Sequence, residues 1–379
     1  MNSSTHPLAP PQEDSLISRL RLIRSHRVGA ITYHRLMGEH GSARAALEAL
    51  PNIARGAGVS RYTPWPEDLA CRELAQGRKL GATPLAHGLP GYPADLADLP
   101  DAPPFLWALG RQALLSRPLV AIVGARNASS LGIRMARRLA HDLGEAGVVA
   151  VSGLARGVDR AVHLGALDYG TIGVQAGGLD VIYPAENADL HETLAREGLR
   201  LSEHPPGLAP VARNFPQRNR IIAGLSRAVV VVEAAAKSGS LLTARMAADY
   251  GREVMAVPGH PFDARTTGCN HLIRDGATLI QGAADVLEAL GPFRPTKFES
   301  RQPPPPRAPG ATRPTPSPHT PPNDLLARIL DRLGSAPLAE DQLIRDLGLK
   351  PAQVAPALLA LELDGRVSRQ AGGLLRRIS

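Results

Sequence analysis

The sequence predicts an α/β protein built in three parts: a parallel-sheet core, a small helical domain before it and a winged-helix module after it. Three observations predict this. Between Leu119 and Val257, short runs of β-branched residues alternate with helical periodicity, the pattern of a parallel sheet covered by helices on both faces. A proline-dense stretch, RQPPPPRAPGATRPTPSPHTPP, separates that core from a later periodic segment. A helical pattern broken by short glycine turns precedes the core.

The elements follow in chain order. Residues 1–14 are expected to be disordered. Residues 15–78 form the helical domain, where Leu16, Leu20 and Ile23 fall at i, i+4 and i+7. Its stretch HRVGAITYHRLM has the outline of a SAM-like or helix-hairpin-helix-like unit, although a purely structural helical domain explains it better. Residues 79–290 form the sheet domain. Its strands are Leu119–Val123, 148–151, 171–175, 229–232 and 253–257, with helices over 133–146 and up to Tyr169, and 80–118 supply an edge element. Residues 291–323 form a linker, because proline lacks the N–H donor and fixes φ. Residues 324–379 form the winged-helix module. Its helices are set by Leu325, Ile329 and Leu333, by 341–347 and by Pro351–Leu363, and its hairpin runs over 367–369 and 374–378 around Gly372 and Gly373. The third helix carries no arginine or lysine beyond Lys350 at its start. A protein contact is therefore as well supported for this module as duplex DNA binding.

Composition narrows the function classes. The 379 residues exceed one ordinary core. A net charge of +8 favours a polyanionic partner, with nucleic acid ahead of an acidic membrane surface. The two cysteines, Cys71 and Cys269, lie far apart, so no disulfide framework is implied and a cytoplasmic protein is expected. No signal-peptide pattern and no bilayer-length apolar run is present, so no membrane partner is expected.

The chemistry lies in the loops at the carboxyl ends of the strands, where doubly wound sheets hold ligands. The first is Gly124-Ala-Arg126-Asn127-Ala-Ser-Ser130, opening a helix whose N-terminus favours anions. The second carries Ser152, Gly153 and Arg156, and the third Gly177, Gly178 and Asp180. The fourth is Lys237-Ser238-Gly239-Ser240, opening another helix. Beside them stands FPQRNRIIAGLS at 215–226, which puts Arg218, Asn219 and Arg220 before an apolar run, with Arg213 just upstream. Cationic forks near loops rich in backbone N–H groups suit several phosphates along a polymer better than one metabolite.

Competing chemistries lack their spacing. Gly124 is followed by Ala, Arg and Asn, so there is no GxGxxG, and in KSGS the lysine precedes the glycine, so there is no P-loop. No nucleophile elbow is found. His260, Cys269 and His271 share one loop-rich stretch, but no metal-ligand spacing supports them. Asp159, Asp180 and Glu233 suit helix capping and the orienting of arginines. No enzyme, cofactor or metal is expected. Aromatic residues make up only 3%, and Phe215 is the best-placed ring for stacking a base. Affinity is therefore expected to rest on phosphates and to be sensitive to salt.

Seven ordered motifs carry a resemblance. They are VAIVGAR at 120–126, SGLARGVD at 152–159, GGLDVIYP at 177–184, SEHPPG at 202–207, FPQRNRIIAGLS at 215–226, the run from VVVVEAAAKSGS to AVPG at 229–259, and GCNHLIRDGA at 268–277. Over roughly residues 80–290 the chain resembles the DNA-processing protein A (DprA, also called Smf) family. The resemblance implies an extended Rossmann-like domain that binds single-stranded DNA without sequence preference. It also implies homodimerisation and delivery of incoming DNA to the RecA recombinase in natural transformation. It assigns Arg126, the segment around Arg218–Arg220 and the turn at Lys237–Ser240 to the DNA-facing side. On this reading Arg126, Arg156, Arg218, Arg220 and Lys237 neutralise phosphates. Backbone N–H groups near Gly153, Gly177, Gly178 and Gly239 complete the cradle.

Two departures stand out: Ala125 where the family usually has serine, and Gln175-Ala176 in the third strand and its loop, which is expected to change packing more than charge. The alternative function is a nucleotide-binding enzyme or sensor of phosphoribohydrolase type. KSGSLLTA lacks the glutamate that such an enzyme carries after its glycines.

Overall fold

The computed structural model describes residues 11–59, 61–291, 322–333, 337–370 and 374–378. Four helices come first: α1 (Pro11–Arg24), α2 (Ala30–His40), α3 (Ala43–Gly56) and α4 (Glu67–Lys79). Helix α1 corrects the expectation of disorder for residues 11–14. It opens on Pro11, whose missing N–H is no loss at the first helical position. The same expectation for residues 1–10 falls outside the described residues, as do residues 292–321 of the expected linker.

The described residues then form a nine-stranded sheet: β1 (Thr83–Ala86), β2 (Phe105–Gly110), β3 (Leu119–Val123), β4 (Val149–Ser152), β5 (Thr171–Val174), β6 (Leu199–Ser202), β7 (Ala228–Val231), β8 (Glu253–Ala256) and β9 (Thr278–Leu279). Between them lie α5 (Ala94–Ala97), α6 (Ser130–Glu145), α7 (Val158–Ala166), α8 (Ala188–Glu197), α9 (Asn214–Leu225), α10 (Gly239–Asp249), α11 (Thr267–Arg274) and α12 (Ala283–Leu290). The spatial order is β1-β2-β6-β5-β4-β3-β7-β8-β9. Strands β3 to β9 pair in parallel, and β1 and β2 add an antiparallel edge.

The order fixes where a ligand can sit. The chain winds from β3 out to β6, then returns to lay β7 on the other side of β3. The loops after β3 and β7 therefore diverge at the switch point, leaving a crevice. Strand β3 is fully buried. Its alternation sends Leu119, Ala121 and Val123 to a core shared with α9, α10 and α11. Val120 and Ile122 go to a core shared with α6, α7 and α12.

Helices α1 and α4 are not walled off from the sheet. Leu20, Ala70 and Leu74 share a core with Phe105 and Trp107 of β2. The approach is close enough that a Cβ on Gly77 would stand 2.2 Å from the Trp107 ring. The last unit comprises α13 (Pro322–Arg332), β10 (Leu338–Ala339), α14 (Glu340–Leu347), α15 (Pro351–Leu363), β11 (Val367–Gln370) and β12 (Leu374–Arg377). Its core contains Ile329, Leu343, Leu358 and Leu375. The glycine turn expected at 372–373 lies outside the described residues. Among the described residues no helix is long and apolar enough to cross a membrane.

Candidate nucleic-acid interface

The loop after β3 is held from below by Glu233, which follows β7. The buried Glu233 carboxylate accepts the Ser129 backbone N–H at 2.8 Å and the Ser129 hydroxyl. Ser129 Oγ in turn accepts the Gly132 N–H at 3.0 Å and caps α6. Gly132 has no room for a side chain, since its Cβ would meet the same carboxylate at 2.4 Å. A charged acceptor thus pins the loop at the switch point and leaves Arg126 and Asn127 exposed on a fixed base. Glu233→Ala strips two partners from buried Ser129, and hydrogen bonds to charged groups contribute about 1.5–3 kcal/mol. Denaturant unfolding is expected to register a loss of that size, and an unchanged midpoint would show the loop to be held by other means.

The loop after β4 is organised by Asp159 at the start of α7. One carboxylate oxygen accepts the N–H groups of Gly153 at 3.1 Å and Ala155 at 3.2 Å. The same oxygen lies 3.8 Å from Nη1 of Arg218, reaching across from α9. Both side chains are buried. Burial pushes the Asp159 carboxyl up, against the pull of Arg218 and the N–H groups. Burial pulls the Arg218 guanidinium down, against Asp159, and Arg126 adds to that pull. The Nε–H of Arg218 has no partner among the described residues. Gly157 is required here for its φ of +72°, and a Cβ there would also strike the Ala125 carbonyl at 2.3 Å.

Two hollows open over Arg218. The first, of about 250 Å³, lies between the loops after β4 and β5. Its walls include Arg156, Gly177, Tyr183 and Phe215. The second is a broader groove of about 640 Å³ along the switch-point crevice, lined by Asn127, Asn219, Lys237, Ser238, Gly239 and Arg265. Arg126, Phe215 and Arg218 belong to both. The Arg126 guanidinium sits 5.2 Å from the centre of the Phe215 ring, and the Tyr183 ring lies tilted with its centre 5.7 Å from that of Phe215. Helix α10 starts at Gly239 with its positive end at the groove, while Ser238 keeps the Ser240 N–H on its Oγ at 3.4 Å and the Leu241 N–H on its carbonyl at 3.1 Å. Such a surface can take an extended polyanion, with a base-sized recess beside it.

Most residues expected at the site line these hollows: Arg126, Asn127, Gly124, Gly153, Arg156, Gly177, Phe215, Arg218, Asn219, Lys237, Ser238, Gly239 and Ser240. Four expectations need correction. Arg220 turns away from both hollows. Its guanidinium binds the Asp101 carbonyl and Glu203 Oε1, each at 2.5 Å. Residues two apart on a helix do not share a face, so Arg218 and Arg220 cannot act as one patch. Ser152 is wholly buried and donates to the Ile122 carbonyl at 2.8 Å. Gly178 spends its N–H on the Leu208 carbonyl at 2.9 Å. Gly153 likewise gives its N–H to Asp159, so its contribution is space and not a donor.

Sequence reasoning missed Arg265, from the loop after β8, and Tyr183 and Pro210 in the first hollow. The only signal for Arg265 was its place in a loop at the carboxyl edge. The Gln175 departure also has a charge partner. Its Oε1 accepts Nε of buried Arg200 at 2.8 Å, and its Nε2 donates to the Gly178 and Val181 carbonyls. Burial lowers that guanidinium to about 10.

His260, Cys269 and His271 do not converge on a common point. Cys269 is buried against the Val231 carbonyl, and burial pushes its thiol up to about 12. Among the described residues the one group spaced for an ion is His141, Asp142 and Glu145, at the far end of α6 from the loops. Asp180 accepts the Gly207 N–H at 2.8 Å.

The comparison with known proteins decides the family. The profile described as DNA recombination-mediator protein A matches residues 84–291. The chain belongs to that family. Two further family profiles match at its flanks: the DprA-like N-terminal HHH domain over 13–75 and the DprA winged helix domain over 312–373. Protein Smf of Synechocystis is 39% identical over 306 residues, covering 75% of this chain and 77% of the relative. DNA processing protein DprA of Streptococcus pneumoniae is 46% identical over 198 residues, covering 52% and 70%. The X-ray structure of DprA from Streptococcus pneumoniae superposes with a TM-score of 0.54 at 34% identity, over 70% of this chain and 99% of that one. The Helicobacter pylori DprA, whose structure addresses its single-stranded DNA binding mode, gives 0.51 at 32% identity, over 55% and 95%. The DprA-family chain is thus related to DNA-processing recombination mediators across its core and both flanks.

Proposed function

We propose that the chain binds single-stranded DNA in the switch-point groove and acts there as a recombination mediator. The observation that carries the reading is Arg218. It is a buried guanidinium with an unpartnered Nε–H, and it forms the floor common to both hollows. A cation desolvated this far and held 3.8 Å from its one counter-ion is poised for a second anion. Exposed Arg126, Arg156 and Lys237 neutralise successive phosphates, and the positive end of the α10 dipole at Gly239 adds to their field. Phe215, already faced by Arg126, offers a ring for a base. The Helicobacter pylori relative supports the same ligand.

The test is fluorescence anisotropy of labelled oligothymidine with the full chain over a salt series. Arg126→Ala and Lys237→Ala should each flatten the log–log salt slope by about 0.7, the single-strand value for one phosphate. Unchanged slopes in both, or displacement by an equal length of duplex, would overturn the reading. Family resemblance extends the proposal to a cytoplasmic homodimer that hands the strand to the RecA recombinase in natural transformation. Faster assembly of RecA on coated single strands in the presence of the chain would support that step, and no acceleration would remove it.

A further inference from the structure

The winged-helix unit docks against the rim of the groove. Arg265, which lines that groove, also caps the carboxyl end of α13. Its Nη1 donates to the Asp331 carbonyl at 2.7 Å and its Nη2 to the Leu333 carbonyl at 3.3 Å. In return, Arg332 donates to the Ala128 carbonyl, inside the loop after β3, at 3.2 Å. A cleft of about 590 Å³ is left between core and module, and it shares Asn127 and Arg265 with the central groove. The two therefore adjoin at Asn127 and Arg265.

The walls of this cleft are unusual for a domain boundary. Phe262 is 93% exposed, the most exposed large apolar side chain among the described residues. Its ring is braced 5.6 Å from His260. Opposite it stand Arg376 and Arg377 at the end of β12. Arg377 spends one nitrogen on the Leu330 carbonyl at 3.3 Å, while the exposed Arg376 guanidinium has no hydrogen-bond or ion-pair partner among the described residues. Asp263 is paired with Arg265 at 3.0 Å and is also drawn on by Arg377, so three arginines face two carboxylates, Asp263 and Asp331, in the cleft. A ring open on one face beside two cations is the composition of a single-strand track. The helix that winged-helix modules commonly lay in duplex DNA is α15, and it contains no lysine or arginine. The basic surface of this module is its hairpin, turned toward the core.

We propose that this cleft is a second single-strand subsite, in which Phe262 stacks a base and Arg376 and Arg377 hold phosphates of the strand as it leaves the central groove. The inference rests on the single-stranded DNA reading of that groove. The winged-helix module lengthens the footprint by its hairpin and does not read duplex through a helix.

Oligothymidines of graded length test this with the full chain. For lengths that fill only the central groove, Phe262→Ala and the double variant Arg376→Ala/Arg377→Ala should bind like the parent. For longer strands, Phe262→Ala should weaken binding about 10-fold, and Phe262→Trp should restore it. The double variant should lower the salt slope by about 1.4, two phosphates at ~0.7 each, for long strands only. Parental affinity at every length in these variants overturns the proposal. So does an equal loss at every length, which would place the residues in the central groove, and so does duplex that displaces the long strands. A parent that binds no oligothymidine of any length sinks the reading of the groove itself. Phe262 is too exposed for its loss to unfold the chain, and an unchanged melting curve confirms this.

Discussion

Gly153→Ala is expected to damage both the core and the site. A Cβ built there would fall 1.1 Å from Nη1 of Arg218 and 2.3 Å from its Cζ. Neither partner can yield cheaply, since Gly153 is tied to Asp159 through its N–H and Arg218 is packed in the interior of α9. Either the loop lifts or the guanidinium leaves. If it leaves, Asp159 stays buried without its cation, a situation that costs about 3–5 kcal/mol. For a domain of this size that corresponds to a fall of about 10 °C in Tm. DNA binding should fall with it, because both hollows lose their floor. The companion experiment separates stability from binding. In Asp159→Asn/Arg218→Met the asparagine oxygen still accepts from Gly153 and Ala155, and the buried charges disappear together. Stability should return to near the parental value while affinity for single strands does not. Recovery of both would show that the buried cation serves the fold alone, and an undisturbed Tm in Gly153→Ala would show that Arg218 is not wedged beneath the loop.

The same pair explains how far the sequence could be read. Strand β3 was legible to its ends because every residue in Leu119–Val123 is apolar and buried. Helix α15 was legible because its apolar run is bounded by Pro351 and the turn before Val367. Strand β6 was not, since Arg200 interrupts its apolar character. That arginine is tolerated only because Gln175 and backbone carbonyls meet it inside the fold. The cationic segment at 218–220 was legible as a place but not as a geometry. In one dimension Arg218, Asn219 and Arg220 form a patch. On a helix they divide, with Arg218 going under the loop, Asn219 to the groove and Arg220 to Glu203 and the Asp101 carbonyl. Arg265 was illegible because its partners, Asp263 in its own loop and the end of α13, make it a tie between two units that are separate in sequence.

Acid should destabilise the protein well above the carboxylate range, through three histidines. Burial pulls His163 down to about 3, with His191 and Arg218 pressing the same way. Burial also pulls His191 to about 4, aided by Arg200, and His204 to about 4, aided by Arg24, Arg220 and Arg213. The geometry at His163 agrees. Thr171 Oγ1 donates to the Ala150 carbonyl at 2.8 Å, so it must accept from Nδ1 of the ring at 2.9 Å, and Nε2 is buried with no partner. The ring is therefore held neutral. Above the ordinary value of about 6.5 neither the folded nor the unfolded chain carries these protons. Below it the unfolded chain takes them up and the folded chain does not, so stability falls with pH until each folded value is reached. Each histidine contributes a slope of about 1.4 kcal/mol per pH unit, or about 4 for the three together. The window runs from about 6.5 to 4, with His163 alone continuing to about 3. Asp159, pushed up by burial, works in the opposite direction, and the clean readout is therefore a comparison between chains that both retain it. In urea titrations at stepped pH, His163→Leu should lose about 1.4 kcal/mol per pH unit of the parental slope between pH 6 and 4. Its absolute stability at neutral pH does not enter that comparison. Parallel slopes in the two chains would mean that His163 reaches a proton in the folded state, which the enclosure of Nε2 beside a buried guanidinium forbids.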